Sequence, residues 1–300
     1  MKALALTGYG TVDNLEVREL PEPKAGAGLR VRVSAASVNP IDWKLISGHL
    51  HGWMPLQFPA VLGRDVAGEV LEVGAGVTGF KPGDKVLGLV NSGFAQQVAA
   101  GADAFALVPP GLDLRDAAAL PLVGLTGAQL IEEAVQPKKG ELVLVTGALG
   151  GVGRVAVYTA KQLGARVILG VRGKQKGAAS ELGAEQVVAL DSDAEIAKLP
   201  QLDAIADTVG GETTAKLLAH LKKGGTIGSV VGEPAGAKER GFTVRAHLTH
   251  PDAKRLRQLA EAVAAGKLRL PIGRRFPLAS GREAVRQASL GGAGKVLIEL

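Results

Sequence analysis

One glycine-rich stretch contains residues whose spacing could do chemistry. The segment ELVLVTGALGGVGRVAV (141–157) places several glycines between an apolar run and a helix-like run. Glycine inside a regular element costs roughly 0.5–1 kcal/mol relative to alanine. A chain that keeps several glycines there therefore needs something to come close to its backbone. The stretch matches the pattern G-x-G-x-x-G, with Ala148 in the first position, Gly150 in the second and Gly153 in the third.

The backbone of this stretch could hold the diphosphate of a dinucleotide. Gly147 would turn the chain after a strand, Gly150 would let the backbone approach a pyrophosphate, and Gly153 would let the next helix pack closely. The N–H groups of Gly151 and Val152 would lie at a helix N-terminus, where an anion is favoured. The alternative is a glycine-rich turn without a ligand, but the strand–turn–helix context favours the dinucleotide.

The residues after the following strand bear on which dinucleotide is bound. An enzyme that uses NAD presents Asp or Glu at the end of that strand, about 20 residues on, to hold the ribose 2′-hydroxyl. Here ARVILG (165–170) is followed by Arg172, Lys174 and Lys176, and we expect no acid near this loop. A 2′-phosphate suits a guanidinium with an ammonium nearby. We therefore predict NADPH, held by Arg172 and Lys176; the alternative is that these are exposed loop charges.

The composition excludes several classes of protein. The 300 residues are 46% hydrophobic but only 3% aromatic, so the core must consist mainly of Ala, Val, Leu and Ile. The chain has no cysteine, which excludes disulfides, thiolate zinc sites and a cysteine nucleophile. The formal charge of +6 comes from scattered basic residues, which indicates a solvated surface rather than a nucleic-acid partner. Because no apolar run reaches the ~20 residues of a membrane span or resembles a secretory signal, we expect a soluble cytoplasmic protein with no membrane partner.

The patterns along the chain predict two kinds of architecture. Residues 1–110 contain short β-type runs such as LRVRVSAASV (29–38), separated by glycine-rich turns, which is typical of a small barrel. Strand-like and helix-like runs then alternate, including a helix predicted over 212–225, and this indicates a parallel sheet covered on both faces. An amphipathic helix is predicted over 252–266, and we expect the β-like tail KVLIEL (295–300) to rejoin the N-terminal part.

Taken together, six segments resemble the medium-chain dehydrogenase/reductases, and within them the zinc-free, zeta-crystallin-like quinone oxidoreductases. The likeness covers nearly the whole chain. Its carriers are SVNPIDWKLISG (37–48), FPAVLGRDVAGEVLEVGAGVTGFKPGDKVLG (58–88), LPLVGLTGAQL (120–130), VTGALGGVGRVAV (145–157), DTVGG (207–211) and GGAGKVLIEL (291–300).

The resemblance implies an α/β fold in two domains. A GroES-like β-barrel catalytic domain would be formed by 1–118 and 251–300, and a Rossmann domain that binds NADPH by 119–250. The resemblance also implies a homodimer. It implies no metal, because Gly63–Arg64–Asp65 stands where zinc-dependent relatives read GHE and Asn39 lies near the position of their first cysteine. Two histidines, His49 and His51, lack a third ligand.

Three residues are implied at the reaction centre, where donors must stabilise the negative charge that develops on a carbonyl oxygen. The Asn39 amide would face the nicotinamide or the substrate oxygen, Asp42 would reach the nicotinamide ribose, and Thr126 would contact the carboxamide or the substrate. Each has an alternative. Asn39–Pro40 is also a turn dipeptide, Asp42 could be a helix N-cap, and Thr126 could be an ordinary helix hydroxyl.

The ends of two further strands complete the expected cofactor site. Val209 in DTVGG would border the cofactor with its backbone, and Val230 and Gly232 in SVVG (229–232) would lie beside the nicotinamide. The full set expected to bind the cofactor is Asn39, Asp42, Thr126, Gly147, Ala148, Gly150, Gly151, Val152, Arg172, Lys176, Val209, Val230 and Gly232.

We therefore expect a zinc-independent, NADPH-dependent oxidoreductase that transfers hydride to a small-molecule quinone or enone. One alternative is an NADPH-dependent reductase of alkenal, enone or enoyl-thioester double bonds. An alternative of another class is a non-catalytic, crystallin-like protein that binds NADPH.

Overall fold

A computed structural model describes residues 1–292 and 294–300 and divides into two compact units. Unit 1 comprises Met1–Leu122 and Pro251–Leu300, and unit 2 comprises Val123–His250. The α/β fold class, with a GroES-like part and a Rossmann part, is confirmed. The limits predicted for the two functional domains, 1–118 with 251–300 and 119–250, stay predictions.

The described residues form strands and helices in the following order along the chain. The strands are β1 (Lys2–Leu6), β2 (Leu15–Glu19), β3 (Leu29–Ser37), β4 (Ala60–Val61), β5 (Asp65–Val73), β6 (Lys85–Leu89), β7 (Gln97–Ala100), β8 (Phe105–Leu107), β9 (Leu142–Thr146), β10 (Arg166–Val171), β11 (Gln186–Ala189), β12 (Leu202–Asp207), β13 (Leu221–Ser229), β14 (Thr243–Ala246), β15 (Ile272–Pro277) and β16 (Lys295–Glu299). The helices are α1 (Pro40–Ile46), α2 (Leu114–Ala117), α3 (Pro121–Gln129), α4 (Gly151–Gln162), α5 (Lys176–Ala179), α6 (Asp193–Ile196), α7 (Gly211–Leu217), α8 (Ala253–Ala264) and α9 (Gly281–Ser289).

Unit 1 is built on two sheets. Its larger sheet has the order β15-β16-β3-β5-β6-β8, with β7 also paired to β3, and its smaller sheet has the order β2-β1-β4. The C-terminal strand β16 runs antiparallel to β3, with Leu297 opposite Ser37, so the tail does rejoin the N-terminal part. Alternation in β3 buries Leu29, Val31 and Val33 and leaves the intervening residues more open, as a half-covered strand requires.

Unit 2 contains one parallel sheet of six strands in the order β11-β10-β9-β12-β13-β14. Separate clusters of Val, Leu, Ile and Ala cover its two faces. The strands are apolar along their length because both faces are buried. The carboxyl ends of β9, β12 and β13 therefore meet at one edge of the sheet, where the predicted cofactor residues follow each strand.

The helix predicted over 212–225 is wrong in its second half. Helix α7 ends at Leu217, and β13 begins at Leu221, which is buried and pairs with Leu202. Lys222 and Lys223 are exposed, and Gly224 has a φ of 74°, so the pairing of β13 with β12 is interrupted before it resumes at Thr226. Strand pairing in the sheet therefore prevails over the helical spacing of the apolar residues in this segment.

Candidate functional site

The glycine-rich turn has the geometry that the sequence predicts. Gly147 follows β9 with a φ of 62°, in the left-handed region that favours glycine. Gly150 is extended and precedes α4 as its N-cap residue. A Cβ on Gly153 would lie 2.2 Å from the carbonyl oxygen of Gly147, so only glycine lets the helix pack this closely against the turn.

The start of α4 suits an anion. The N–H groups of Gly151 and Val152 belong to the first turn of a 12-residue helix and have no acceptor within it. The partial positive charge of the helix end adds to their effect. Arg154 in the same turn is buried, donates to the Leu149 carbonyl at 3.1 Å and pairs with Glu181 at 2.7 Å. These contacts of Arg154 therefore hold the turn in place. The N–H groups of Gly151 and Val152 fit a dinucleotide diphosphate.

Asp207, which sequence reasoning missed, ties this turn to the neighbouring strand ends. It is the last residue of β12 and is fully buried. Its carboxylate accepts hydrogen bonds of 2.7–3.1 Å from the hydroxyls of Thr146, Thr214 and Ser229 and from the N–H groups of Val209 and Gly210. One side chain thus fixes the ends of β9, β12 and β13 and the beginning of α7.

Two hydrogen bonds between Thr146 and Thr208 also join the glycine turn to the segment after β12. The N–H of Thr208 donates to Thr146 Oγ1 at 2.8 Å, and the hydroxyl of Thr208 donates to the Thr146 carbonyl at 2.7 Å. A Cβ on Gly147 would lie 2.6 Å from Thr208 Oγ1. The glycine turn and the segment after β12 are therefore one packed assembly.

The cationic loop after β10 is only partly as predicted. Arg172 is exposed, and none of the described residues forms a recorded hydrogen bond or ion pair with its guanidinium. Lys176, in contrast, binds both carboxylate oxygens of Glu195, at 2.9 and 2.8 Å. Arg172 is therefore a cation that a phosphate could engage without competition from a neighbouring acid.

The prediction that no acid lies near this loop is wrong. Asp191, which follows β11, accepts the N–H of Gly173 at 2.7 Å. It reaches the loop because β11 pairs in parallel with β10 and the carboxyl ends of both strands meet at the same edge. The sequence separation of 18 residues hid this contact.

The predicted residues at the ends of β12 and β13 lie at the same sheet edge. Val209 is 48% exposed, Val230 is half-buried and Gly232 is exposed with a φ of 109°. Val231, which was not singled out, is also 41% exposed. Exposed valines beside a backbone turn leave an apolar surface at this end of the sheet.

Thr126 belongs to a polar cluster in unit 2. Its hydroxyl lies 2.7 Å from the hydroxyl of Thr249, so each can pass a hydrogen bond to the other. One turn later Gln129 donates to the His250 carbonyl at 2.9 Å and lies 3.2 Å from His247 Nε2. The Thr126 hydroxyl is therefore paired within its own unit and is more than an isolated helix hydroxyl.

The helix changes geometry immediately after Gln129. Residues Leu130–Val135 form a π-helical turn, a form often found at functional sites. From this turn, Glu133 lies 3.1 Å from His250 Nε2. Burial lowers the pKa of His247, while the nearby Glu133 acts in the opposite direction. The neutral His247 ring is thus favoured.

In unit 1, Asn39 and Asp42 are both fully buried. Asn39 precedes α1 as its N-cap residue and Asp42 stands three residues later, where its carboxylate accepts the Asn39 N–H at 2.8 Å. The alternative that Asp42 is the N-cap is therefore wrong. The other oxygen of Asp42 accepts the N–H of Gly63 at 3.3 Å.

The Asn39 amide is engaged on all sides. Its Nδ2 donates to Asp65 at 2.7 Å and to the Ser37 carbonyl at 3.2 Å, and its Oδ1 accepts from Lys295 at 2.6 Å. Both amide protons are thus used within unit 1. The expected contact of Asn39 with a nicotinamide or a substrate oxygen stays a prediction.

Burial changes the protonation of this cluster. Desolvation raises the pKa of Asp42 to about 7, and the negative charge of Asp65 acts in the same direction. Desolvation also lowers the pKa of Lys295, although Asp65 and Asp42 partly offset it. The expected contact of Asp42 with a ribose stays a prediction, since both of its oxygens already accept backbone N–H groups.

The residues at the positions of the zinc ligands do not fit zinc. Zinc prefers thiolate, imidazole and carboxylate ligands in a tetrahedron. Asn39 and Asp65 instead have the Nζ of Lys295 near them, 2.6 Å from Asn39 Oδ1 and 3.5 Å from Asp65 Oδ2. A divalent cation there would face an ammonium.

Comparison with known proteins agrees with this arrangement. The model for the alcohol dehydrogenase GroES-like domain matches residues 26–201, and that for zinc-binding dehydrogenase matches residues 182–298. The chloroplast envelope quinone oxidoreductase homolog of Arabidopsis thaliana is 30% identical, over 100% of this chain and 98% of its own length. The solved quinone oxidoreductase of Coxiella burnetii is 31% identical with a TM-score of 0.90, covering 100% of this chain and 99% of that one. The acryloyl-coenzyme A reductase of Metallosphaera sedula is 31% identical over 76% of this chain and 75% of its own.

The fold, the glycine turn and these matches define an oxidoreductase of the medium-chain dehydrogenase/reductase class, which uses a nicotinamide cofactor. Within that class, the chain belongs to the quinone oxidoreductase-like family. The resemblance seen in the sequence is therefore confirmed.

Among the described residues, no helix combines the length and the apolar character that crossing a membrane requires.

Proposed function

We propose that this protein is a zinc-independent, NADPH-dependent reductase that transfers hydride to quinones or related conjugated carbonyls. The observation that carries the proposal is the glycine turn before α4, held to two neighbouring strand ends by Asp207. Relatives named as quinone oxidoreductases match the full chain and support the choice of acceptor.

The cofactor would bind through the backbone first. The diphosphate would lie against Gly147, Ala148 and Gly150 and accept the N–H groups of Gly151 and Val152. The exposed Arg172 would hold the 2′-phosphate. Lys176 could join only by exchanging Glu195 for the phosphate.

The nicotinamide end would lie at the apolar edge formed by Val209, Val230 and Gly232. The bound reduced nicotinamide would supply the hydride. Thr126, with Thr249 behind it, would offer a hydroxyl donor to the acceptor oxygen or to the carboxamide. We further propose that Asn39 contacts the nicotinamide or the substrate oxygen and that Asp42 contacts the nicotinamide ribose.

A second candidate is the reduction of alkenal, enone or enoyl-thioester double bonds. The match to an acryloyl-coenzyme A reductase favours it. The third possibility, a crystallin-like protein that binds NADPH without turnover, would share the site but not the reaction.

Following NADPH oxidation with an acceptor panel would separate these functions. We expect turnover with a naphthoquinone and phenanthrenequinone to exceed turnover with a 2-alkenal or crotonyl-coenzyme A by at least about tenfold in kcat/KM. Higher activity on the thioester would favour the second function. NADPH binding without turnover on any acceptor would favour the third.

A charge variant tests the binding site itself. Gly150 is extended, and a Cβ there would lie 3.2 Å from the Gly147 carbonyl oxygen, a tight contact that a shift of a few tenths of an ångström relieves; Gly150→Asp should therefore cap α4 while placing a carboxylate where the diphosphate would lie. We expect it to keep the fold but to lose NADPH binding, measured by nicotinamide fluorescence. Gly8→Asp is the matched control, because no atom lies within 4 Å of the Cβ it adds. Unchanged NADPH affinity in Gly150→Asp would contradict the proposed site.

The assembly and location are further proposals. We propose a homodimer that pairs through the edge strand β14, and a cytoplasmic location. Several relatives are named as chloroplast proteins, so the location of this chain needs its own measurement.

A further inference from the structure

A buried ammonium stands in the middle of the polar cluster of unit 1. Lys295 is the first residue of β16, and only 10% of its side chain is exposed. Its Nζ lies 2.6 Å from Asn39 Oδ1, 3.2 Å from the Val38 carbonyl and 3.5 Å from Asp65 Oδ2. An ammonium has three protons, and these three oxygens use them all.

Strand register accounts for the contact. In the antiparallel pairing of β16 with β3, Leu297 lies opposite Ser37, so Lys295 falls opposite Asn39, just beyond the end of β3. In the pairing of β3 with β5, Ser37 lies opposite Asp65. Three adjacent strands therefore bring a lysine, an asparagine and an aspartate together.

The charges dictate the orientation of the Asn39 amide. Its oxygen points at the ammonium of Lys295, and its nitrogen points at the carboxylate of Asp65. A flipped amide would set N–H groups against the ammonium and an oxygen against the carboxylate. Both contacts would be repulsive in a site that water does not reach.

Asp65 extends the network to two more groups. It accepts the Ser37 hydroxyl at 2.5 Å and the Leu122 N–H at 2.6 Å. Its charge is balanced by Lys295, and Asp42 lies in the same cluster. Without the ammonium, two buried carboxyl groups would remain with no cation beside them.

We propose that Lys295 is a positioning residue, whose fixed positive charge sets the orientation of Asn39 and holds the segment from Val38 to Asp42 in the form that the reaction needs. The Lys295 ammonium thereby places a positive charge among three oxygen acceptors. This proposal rests on the proposed function, in which Asn39 contacts the nicotinamide or the substrate oxygen.

Removing the charge tests the role. We expect Lys295→Met to lower kcat with a quinone by about 10- to 100-fold, because misplacement of the segment is costly. Lys85→Met is the matched control, because Lys85 is an exposed first residue of β6 in the same sheet. A folded Lys295→Met with wild-type kcat would overturn the proposal.

Chemical rescue separates charge from packing. Lys295→Ala removes the side chain beyond Cβ, and n-propylammonium supplies the same atoms together with the charge. We expect n-propylammonium to raise both kcat and the Tm of this variant, while 1-propanol, its neutral analogue, raises neither. Equal rescue by the two compounds would show a packing role and would overturn the proposal.

Two further arms keep the result interpretable. If Lys295→Ala does not fold, Asp65→Asn/Lys295→Met removes both charges and should restore folding, and we expect its kcat to stay low. A wild-type kcat in this double variant would overturn the proposal. If the wild-type protein turns over no acceptor, the proposed function fails. The Tm of Lys295→Ala with n-propylammonium then still tests whether these oxygens need a positive charge among them.

Discussion

At the scale of single residues, the proposed preference for NADPH rests on Arg172. The guanidinium is exposed, whereas Lys176 is bound to Glu195. A charge-assisted hydrogen bond contributes roughly 1.5–3 kcal/mol, and about 1.4 kcal/mol corresponds to a factor of ten in affinity. We therefore expect Arg172→Ala to weaken NADPH at least about tenfold more than NADH. Calorimetric titration with both cofactors measures this difference.

Lys174→Ala is the control, since Lys174 is an exposed cation on the same loop. It should weaken NADPH far less than the loss of Arg172 does, because a flexible surface charge contributes little. Equal losses for NADPH and NADH in Arg172→Ala would remove the assignment of the 2′-phosphate to this side chain. Asp191 would then become the candidate for holding a free 2′-hydroxyl, since it already accepts the Gly173 N–H.

The residue scale also shows what the sequence could predict. The glycine turn was predictable because Gly147, Gly150 and Gly153 are close in sequence and each answers a local need of the backbone. Asp207 and Lys295 were not predicted, because their partners lie 61 and 256 residues away in the contacts Thr146–Asp207 and Asn39–Lys295. Such contacts depend on which strands pair in the folded chain, and they leave no local pattern in the sequence.

At the scale of elements, Asp207 and Thr146 hold two strand ends together, and we propose that these ends form a shared platform for the cofactor. Thr146→Val removes a hydroxyl that donates to Asp207 and accepts from the Thr208 N–H. Leaving such buried groups unpaired costs roughly 1–3 kcal/mol. We expect a loss of this size in the free energy of unfolding, measured by urea denaturation, and weaker binding of NADPH and NADH by equal factors.

Thr146→Ser is the matched control, because it keeps the hydroxyl and removes only a methyl group. It should retain most of the affinity for both cofactors. A loss confined to NADPH in Thr146→Val would contradict the idea of a shared platform, since the platform carries the diphosphate that both cofactors possess.

Elements also mark where sequence patterns fail. The run 212–225 has helical spacing, but Leu221 is drawn into the sheet opposite Leu202, and pairing in the sheet prevails over local propensity. The π-helical turn at Leu130–Val135 has no distinct signal in the sequence pattern. An amphipathic pattern does not resolve one extra residue in a turn, yet that turn places Glu133 beside His250.

At the scale of the whole molecule, we propose that two copies pair through β14, the outermost strand on one side of the unit 2 sheet. Strand β14 ends the sheet on one side, and Leu248 just beyond it is 67% exposed. The His247 N–H donates to Ser229 in β13 at 2.8 Å, so by alternation the Ala246 N–H faces away from the sheet. Edge strands with free N–H groups are templates for pairing.

Ala246→Pro removes this outward N–H without touching the bonds to β13, because proline lacks the donor. We expect the wild-type protein to have about twice the 30.7 kDa mass of one chain, and Ala246→Pro to have the mass of one. Light scattering coupled to gel filtration measures both. Val187→Pro is the control on β11, the edge strand at the opposite side of the sheet. The Leu190 N–H donates to the Val171 carbonyl at 2.7 Å, so by alternation along the strand the Val187 N–H faces away from the sheet. A monomeric Val187→Pro with a dimeric Ala246→Pro would transfer the interface to β11, and two dimeric variants would place it outside the sheet edges.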